Sequence, residues 1–263
     1  MNDSTSTVLI TGASSGIGYE LAKLFAKDRH NLVLVARSGS RLAQVADELQ
    51  RQFAVKAMPV TLDLAVPSAP QSLFDQLGRH GITVDILINN AGYGKFGEFA
   101  QLPLEDAVGQ IQLNVAALTY LTRLFVGPML KRDSGKFMNV ASTAGFQPGP
   151  LMAVYYATKA YIISFSEALA NELAETGVTV TCLCPGATNT GFAERAGTNN
   201  SRLLKQIGTM EAKTVALAGY RGLMASKTLV IPGLKNRLLM ESLRISPRRV
   251  VTAVSRKLMD RME

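Results

Sequence analysis

Cysteine and histidine are scarce in this 263-residue chain, with two of each. Cys182 and Cys184 alternate within Val-Thr-Val-Thr-Cys-Leu-Cys-Pro, so both face one side of a predicted strand. They read as buried thiols, because a metal site needs more ligands than such a pair supplies. His30 and His80 are far apart, near predicted helix ends, and read as surface residues; no metal is expected. Also missing is a charged-then-apolar leader: Met-Asn-Asp-Ser-Thr-Ser-Thr runs directly into an apolar strand. No apolar run of bilayer-spanning length is expected, and no repeat, low-complexity tract or linker interrupts the pattern. These absences suggest one soluble cytoplasmic domain, residues 1–263.

Acidic charge is in short supply as well, 20 Asp and Glu against 28 Lys and Arg, for a formal net charge of +8. Such a balance suits a nucleic-acid binder. No DNA-binding or RNA-binding motif accompanies it, so no nucleic-acid partner is expected. The basic excess is concentrated at 235–263, where eight basic and three acidic residues stand. This segment is expected to be a helical extension. Its apolar side (Leu238, Leu239, Leu243, Val250, Val251, Val254, Leu258) would pack on the body, on a partner subunit or on an anionic membrane surface.

What the chain has in quantity is core: 47% of its residues are hydrophobic. Strand-like segments recur near 7–11, 31–36, 55–61, 84–89, 136–141, 178–184 and 228–232, with helical stretches between them. That alternation predicts an α/β fold, a doubly wound parallel sheet of about seven strands with helices on both faces.

Two local patterns carry chemistry. In Val-Tyr-Tyr-Ala-Thr-Lys-Ala, Tyr155 and Lys159 stand four apart, on one face of a helix. An ammonium there would favour the ionised phenol, whose free pKa near ~10 is too high for proton transfer around neutrality. Tyr156 points elsewhere on the helix. The second pattern is Thr11-Gly-Ala-Ser-Ser-Gly-Ile-Gly18, between a predicted strand and the helix marked by Ile17, Leu21, Leu24 and Phe25. Free amides and the positive dipole end at a helix start suit a pyrophosphate. Gly12 would allow the tight turn, and Gly16 and Gly18 the close approach of phosphate and strand. The spacing, G-x-x-x-G-x-G, differs from the common dinucleotide fingerprint.

Together with Asn89-Asn-Ala-Gly92, Asn114, Ser142 and Pro185-Gly186, these motifs resemble the ordered set of the short-chain dehydrogenase/reductases, from about residue 7 to 192. The resemblance implies a single Rossmann-type domain, a nicotinamide cofactor and hydride transfer at a carbonyl or alcohol carbon. Ser142 would polarise the carbonyl, Tyr155 would be the acid or base, Lys159 would tune it and hold the nicotinamide ribose, and Asn114 would seat a relay water. Gly12, Ser14, Ser15, Gly16, Ile17 and Gly18 would cradle the phosphates. Asn89, Ala91 and Gly92 would wall the adenine ribose, and Asp63 would meet the adenine, or act as a loop acid or helix cap. The segment of Pro185, Gly186, Thr188 and Thr190 would meet the carboxamide, through one or the other threonine. Asn114 alone could also serve to satisfy backbone groups. A homo-oligomer is expected.

NAD-selective sites of this type place an acid at the end of the second strand, and NADP sites an arginine. In Asn31-Leu-Val-Leu-Val-Ala-Arg37-Ser the acid is missing, Ala36 stands in its place and Arg37 follows, which points to NADP(H). Ser38 and Arg41 could assist; alternatively the arginines are solvated charges. Substrate contacts are expected from Tyr93–Phe99, Phe146–Met152 and Phe192–Leu204, the last within a substrate loop at 191–209, and their apolar character suggests an apolar ketone, 3-oxoacyl or steroid-like compound. After Thr228-Leu-Val-Ile-Pro-Gly the chain departs from the common family ending, which argues against the usual tetramer; this end resembles a bacterial branch related to steroid and long-chain acyl reductases. A non-catalytic NADP-binding regulator is the alternative.

Overall fold

The computed structural model describes residues 6–198 and 208–260. Its strands are β1 (Thr7–Thr11), β2 (Asn31–Ala36), β3 (Ala57–Thr61), β4 (Ile86–Asn89), β5 (Gly135–Val140), β6 (Val178–Leu183), β7 (Thr188–Asn189), β8 (Met210–Glu211) and β9 (Leu229–Val230). Seven of them form one parallel sheet in the order β3-β2-β1-β4-β5-β6-β9, and β7 pairs with β8 outside it. Runs such as Val8-Leu9-Ile10 and Leu32-Val33-Leu34-Val35 are apolar without alternation because both faces of the sheet are covered.

Helices α1 (Gly16–Lys27), α2 (Gly39–Phe53) and α8 (Ala212–Met224) cover one face, through Leu21, Phe25, Leu42, Leu49 and Val215. Helices α3 (Ala69–Arg79), α5 (Leu118–Lys131) and α6 (Ala153–Glu172) cover the other, through Leu73, Leu77, Leu121, Phe125 and Met129. The expected doubly wound sheet is therefore present. Chain order reverses on either side of β1, which pairs with β2 and with β4, and this opens a crevice beyond their carboxyl ends.

One expectation needs correction. Residues 104–131 form a single 28-residue helix, α4 (Leu104–Ile111), a π segment (Gln112–Ala117) and α5, long and apolar enough by composition to cross a membrane. Packing accounts for part of its apolarity: Ala117, Leu121, Phe125 and Met129 lie in the core beneath the sheet, whereas Leu104, Val108 and Ile111 are exposed. The two cysteines are buried, as expected, with their sulfurs 3.7 Å apart. Beyond α7 (Phe192–Ala196) and β9 the chain ends in two further helices, α9 (Leu234–Leu243) and α10 (Arg248–Met259).

Candidate active site

The crevice is the mouth of a cavity of about 920 Å³. At its floor the chain leaves β1 through Gly12 (φ +66°) and Gly16 (φ +58°), a left-handed backbone that side chains rarely adopt. Ser15, at the start of α1, makes no side-chain capping bond, so the first-turn amides are available to an anion. Gly18 does something else. A Cβ there would sit 2.4 Å from the Gly12 carbonyl oxygen and 2.5 Å from Asn90 Nδ2, so this glycine lets α1 pack against the end of β1. The Asn90 amide donates to the carbonyls of Thr11 (2.9 Å) and Gly12 (3.1 Å), stitching the β4 exit to the cradle.

Asn89 was expected in the cofactor wall, but its side chain turns the other way. It donates to Thr122 Oγ1 (3.1 Å) and Asn139 Oδ1 (2.9 Å) inside the protein, and Asn139 donates in turn to Ser166. The neighbour Asn90, with Ala91 and Gly92, lines the cavity instead. Side chains of a strand alternate, so the parity of the last β4 residue decides which asparagine is presented; that parity was the available signal for Asn90.

On the opposite wall Ser142, Tyr155 and Lys159 come together, from the end of β5 and the first turns of α6. Ser142 Oγ donates to the Pro185 carbonyl (3.3 Å) and accepts from the Ala144 amide (3.1 Å). Lys159 Nζ donates to the Val140 carbonyl at 2.8 Å and lies 5.7 Å from the centre of the Tyr155 ring. Gly94 gives the tyrosine room, since a Cβ there would meet the Tyr155 ring at 2.9 Å.

The electrostatics run against the expectation of a tyrosine acidified by its lysine. Burial raises the Tyr155 pKa above its ordinary value, and a hydrogen bond with Ser142 opposes this. Burial also lowers Lys159, to about 8, while Cys182 and Cys184 push it back up. Burial takes solvation from both charged forms. The lysine's hydrogen bond to the Val140 carbonyl and its distance from the ring leave it too little influence to reverse that cost.

Asn114 stands behind this pair, in the π segment, and is 1% exposed. It donates to the Tyr93 carbonyl (2.9 Å) and to Thr158 Oγ1 (3.0 Å), and accepts from the Tyr93 amide (3.1 Å). Its amide thus holds the loop after β4 against α6, in a helix widened at that point. Asp63 and Arg37 line the cavity, Asp63 also accepting from the Ala65 amide at 3.0 Å in a tight local turn. Arg37 is exposed and has neither a hydrogen bond nor an ion pair with any described residue. Arg41 turns away, toward Gln44 and the ring of Tyr19. Pro185, Gly186, Thr188 and Thr190 line the cavity, and Thr190 Oγ1 accepts from the Phe192 amide at the start of α7.

A family model for short chain dehydrogenases matches residues 6–201. The chain belongs to that family. It is 34% identical over 226 residues to the ketoacyl reductase HetN of Nostoc sp., covering 86% of this chain and 77% of that protein. Among solved structures, a short-chain dehydrogenase from Sphingobium yanoikuyae in complex with NADPH superposes with a TM-score of 0.83 at 35% identity, over 91% of this chain and 92% of the other. The bulky-bulky ketone specific alcohol dehydrogenase from Comamonas testosteroni gives 0.78 at 31% identity, over 91% and 92%. This short-chain dehydrogenase is an oxidoreductase that takes a nicotinamide cofactor, and the cradle, the crevice and the volume of the cavity fit such a dinucleotide.

The part of this short-chain dehydrogenase beyond the family match supplies the cavity's remaining wall. Leu239, Met240 and Leu243 of α9 and Val250, Val251, Val254, Leu258 and Met259 of α10 line it. Of the expected substrate loops, Tyr93, Lys95, Gln147, Met152, Phe192 and Arg195 reach the cavity. Phe192 lies 5.1 Å from Tyr155 between ring centres, while Phe99 is exposed elsewhere and Phe146 packs beside Cys182 and Cys184. Residues 199–207 of the expected loop 191–209 lie outside the described residues. The tail's cavity residues escaped the sequence reading as a site, although their i, i+3, i+4 spacing was visible; amphipathicity shows that a face is covered, not what covers it.

Proposed function

We propose that this enzyme reduces a carbonyl group on an apolar substrate with NADPH, the whole chain acting as one catalytic domain. One observation carries the reading: Ser142 and Tyr155 share a cavity with an open arginine at the end of β2 and with a wall of aliphatic side chains. When bound, the cofactor supplies the hydride. Ser142 Oγ, beside the Tyr155 phenol, offers its proton to the substrate carbonyl oxygen and draws charge onto it. Tyr155 gives its proton to that oxygen as charge develops there; the raised pKa keeps the phenol protonated, the form an acid in the reductive direction requires. Lys159 and Asn114 form the inner end of the proton path, and Lys159 also orients the ribose. Gly12, Ser14, Ser15, Gly16 and Ile17 seat the pyrophosphate, with Gly18 supporting the turn.

At the other end Arg37 and Ser38 favour the 2′-phosphate of NADPH, a reading that the NADPH-bound relative supports. Asp63, Ala91 and Gly92 border the adenosine; Pro185, Gly186, Thr188 and Thr190 border the carboxamide. The apolar strip of exposed Phe99 and Ile111 with half-buried Val115 and Val154 suits contact between copies in a homo-oligomer.

The test is NADPH consumption against ketones, aldehydes, 3-oxoacyl thioesters and steroids, for wild type and Tyr155→Phe. Loss of the acid should cut turnover by ~10²–10⁴-fold while NADPH still binds. Retention of more than about a tenth of wild-type turnover would refute the assignment of Tyr155. Binding of NADPH with no consumption across the panel would point to a regulator.

A further inference from the structure

The terminal helices sit where a substrate must pass. Met259 is buried and its sulfur accepts a hydrogen bond from the Tyr156 hydroxyl at 3.6 Å, so the end of α10 is fastened beside the catalytic tyrosine. From there the cavity side of α10 runs back through Leu258, Val254 and Val251 to Val250, nine residues or about 13 Å at a helical rise of ~1.5 Å. Leu239 and Leu243 of α9 line the same cavity. No charged side chain of either helix is among the residues lining it; Arg248, Arg249, Arg256 and Lys257 are exposed, and Arg256 reaches Glu98 at 4.0 Å, clasping α10 to the loop after β4. Val250 and Val254 are 56% and 52% exposed, which marks the far end of the lane as open.

We infer that α9 and α10 form an apolar lane that selects substrates by the length of an unbranched hydrocarbon chain, the carbonyl at Tyr155 and the chain running out toward Val250. This deepens the proposed carbonyl reduction and rests on it for the placement of the carbonyl. A compact or polar substrate would leave the aliphatic wall wet, whereas each methylene laid along it is removed from water. Burial of one CH₂ corresponds to about a threefold to fourfold gain in affinity. The gain should continue along the lane and stop where the chain emerges. Arg248 and Arg249, exposed next to Val250, keep the outer face soluble.

The experiment measures, by calorimetry, the binding of straight-chain 2-alkanones of increasing length to the full chain loaded with NADP+. Wild type should gain about threefold to fourfold per methylene along the lane. In Val250→Gln/Val254→Gln, at half-exposed positions that tolerate a polar side chain, the gain should fall to under about twofold for the longer members. The control Lys257→Gln, on the outer face, should keep the wild-type slope. Equal slopes in wild type and double variant, alkanone binding without a slope, or no alkanone binding would each overturn the lane. Separately, NADPH is supplied with the same alkanones. A binding slope without reduction would keep the lane and refute the reductase reading, and reduction without a slope would do the reverse.

Discussion

Arg37→Ala should separate the two nicotinamide cofactors. Arg37 follows Ala36, the residue of β2 paired with Thr61 on β3, and its guanidinium is exposed at the cavity with no hydrogen bond or ion pair to a described residue. Removing such a side chain should change stability by no more than about 0.5 kcal/mol. A hydrogen bond to a charged group contributes ~1.5–3 kcal/mol, and solvent exposure places Arg37 at the lower end. The expected loss is about tenfold in NADPH affinity, with NADH nearly unchanged. Because the charges are exposed, the loss should shrink as ionic strength rises past the range where the screening length is ~8–10 Å. Ala36→Asp, added to Arg37→Ala, places a second carboxylate in the wall that already holds Asp63, repelling the phosphate while offering the NADH ribose an acceptor. Fluorescence titration of both reduced cofactors, at two fixed salt concentrations, measures all of this. Equal losses for NADPH and NADH on Arg37→Ala would mean that the arginine serves the adenosine or the fold, and the preference for NADP would have to be abandoned.

Lys159 predicts a pH effect on stability. Its pKa is about 8 when folded, lowered by burial, and returns to about 10.5 on unfolding, so between these values the unfolded chain binds more protons and stability rises with pH. The melting temperature of the wild type relative to Lys159→Met should therefore climb from pH 8 toward pH 10, worth on the order of 1–3 kcal/mol; a flat difference would contradict the depressed pKa. Tyr155, raised by burial, acts oppositely once free tyrosine ionises, near pH ~10. Gly18→Ala should destabilise by about 1–3 kcal/mol and weaken NADPH, since its Cβ meets backbone that has no room to yield; a wild-type melting curve would refute the packing account. Tyr156→Phe removes a hydroxyl that bonds Met259 and Ser255 of α10 and leaves Tyr155 in place, so it should lose far less turnover than Tyr155→Phe, with a stability cost of about 1 kcal/mol in thermal unfolding. Deletion of 246–263 should raise KM for apolar substrates more than it weakens NADPH, because it strips one wall of the cavity; steady-state kinetics with an unchanged KM would show that α10 plays no part in binding.

The alternation of buried strands and amphipathic helices was legible because periodicity is local, and it was enough for the doubly wound sheet. The cradle glycines were legible too: a sharp turn into a helix needs left-handed backbone, and Gly12 and Gly16 adopt it. Tyr155 and Lys159 were recognisable from a spacing that any helix enforces. What the sequence could not carry were quantities set by neighbours distant in the chain. Asn89 and Asn90 are chemically identical and adjacent, and only the facing of β4 in the sheet sends one into the core network and the other to the cradle. The pKa directions of Tyr155 and Lys159 depend on how far the assembled fold buries each group, so burial overrides the charge proximity that the spacing suggests. The basic tail displayed an apolar stripe that some surface had to cover. Tertiary packing laid that stripe along the cavity, except for Leu238, which stays exposed, because Met259 finds Tyr156 and the rest of α10 then lies along the opening.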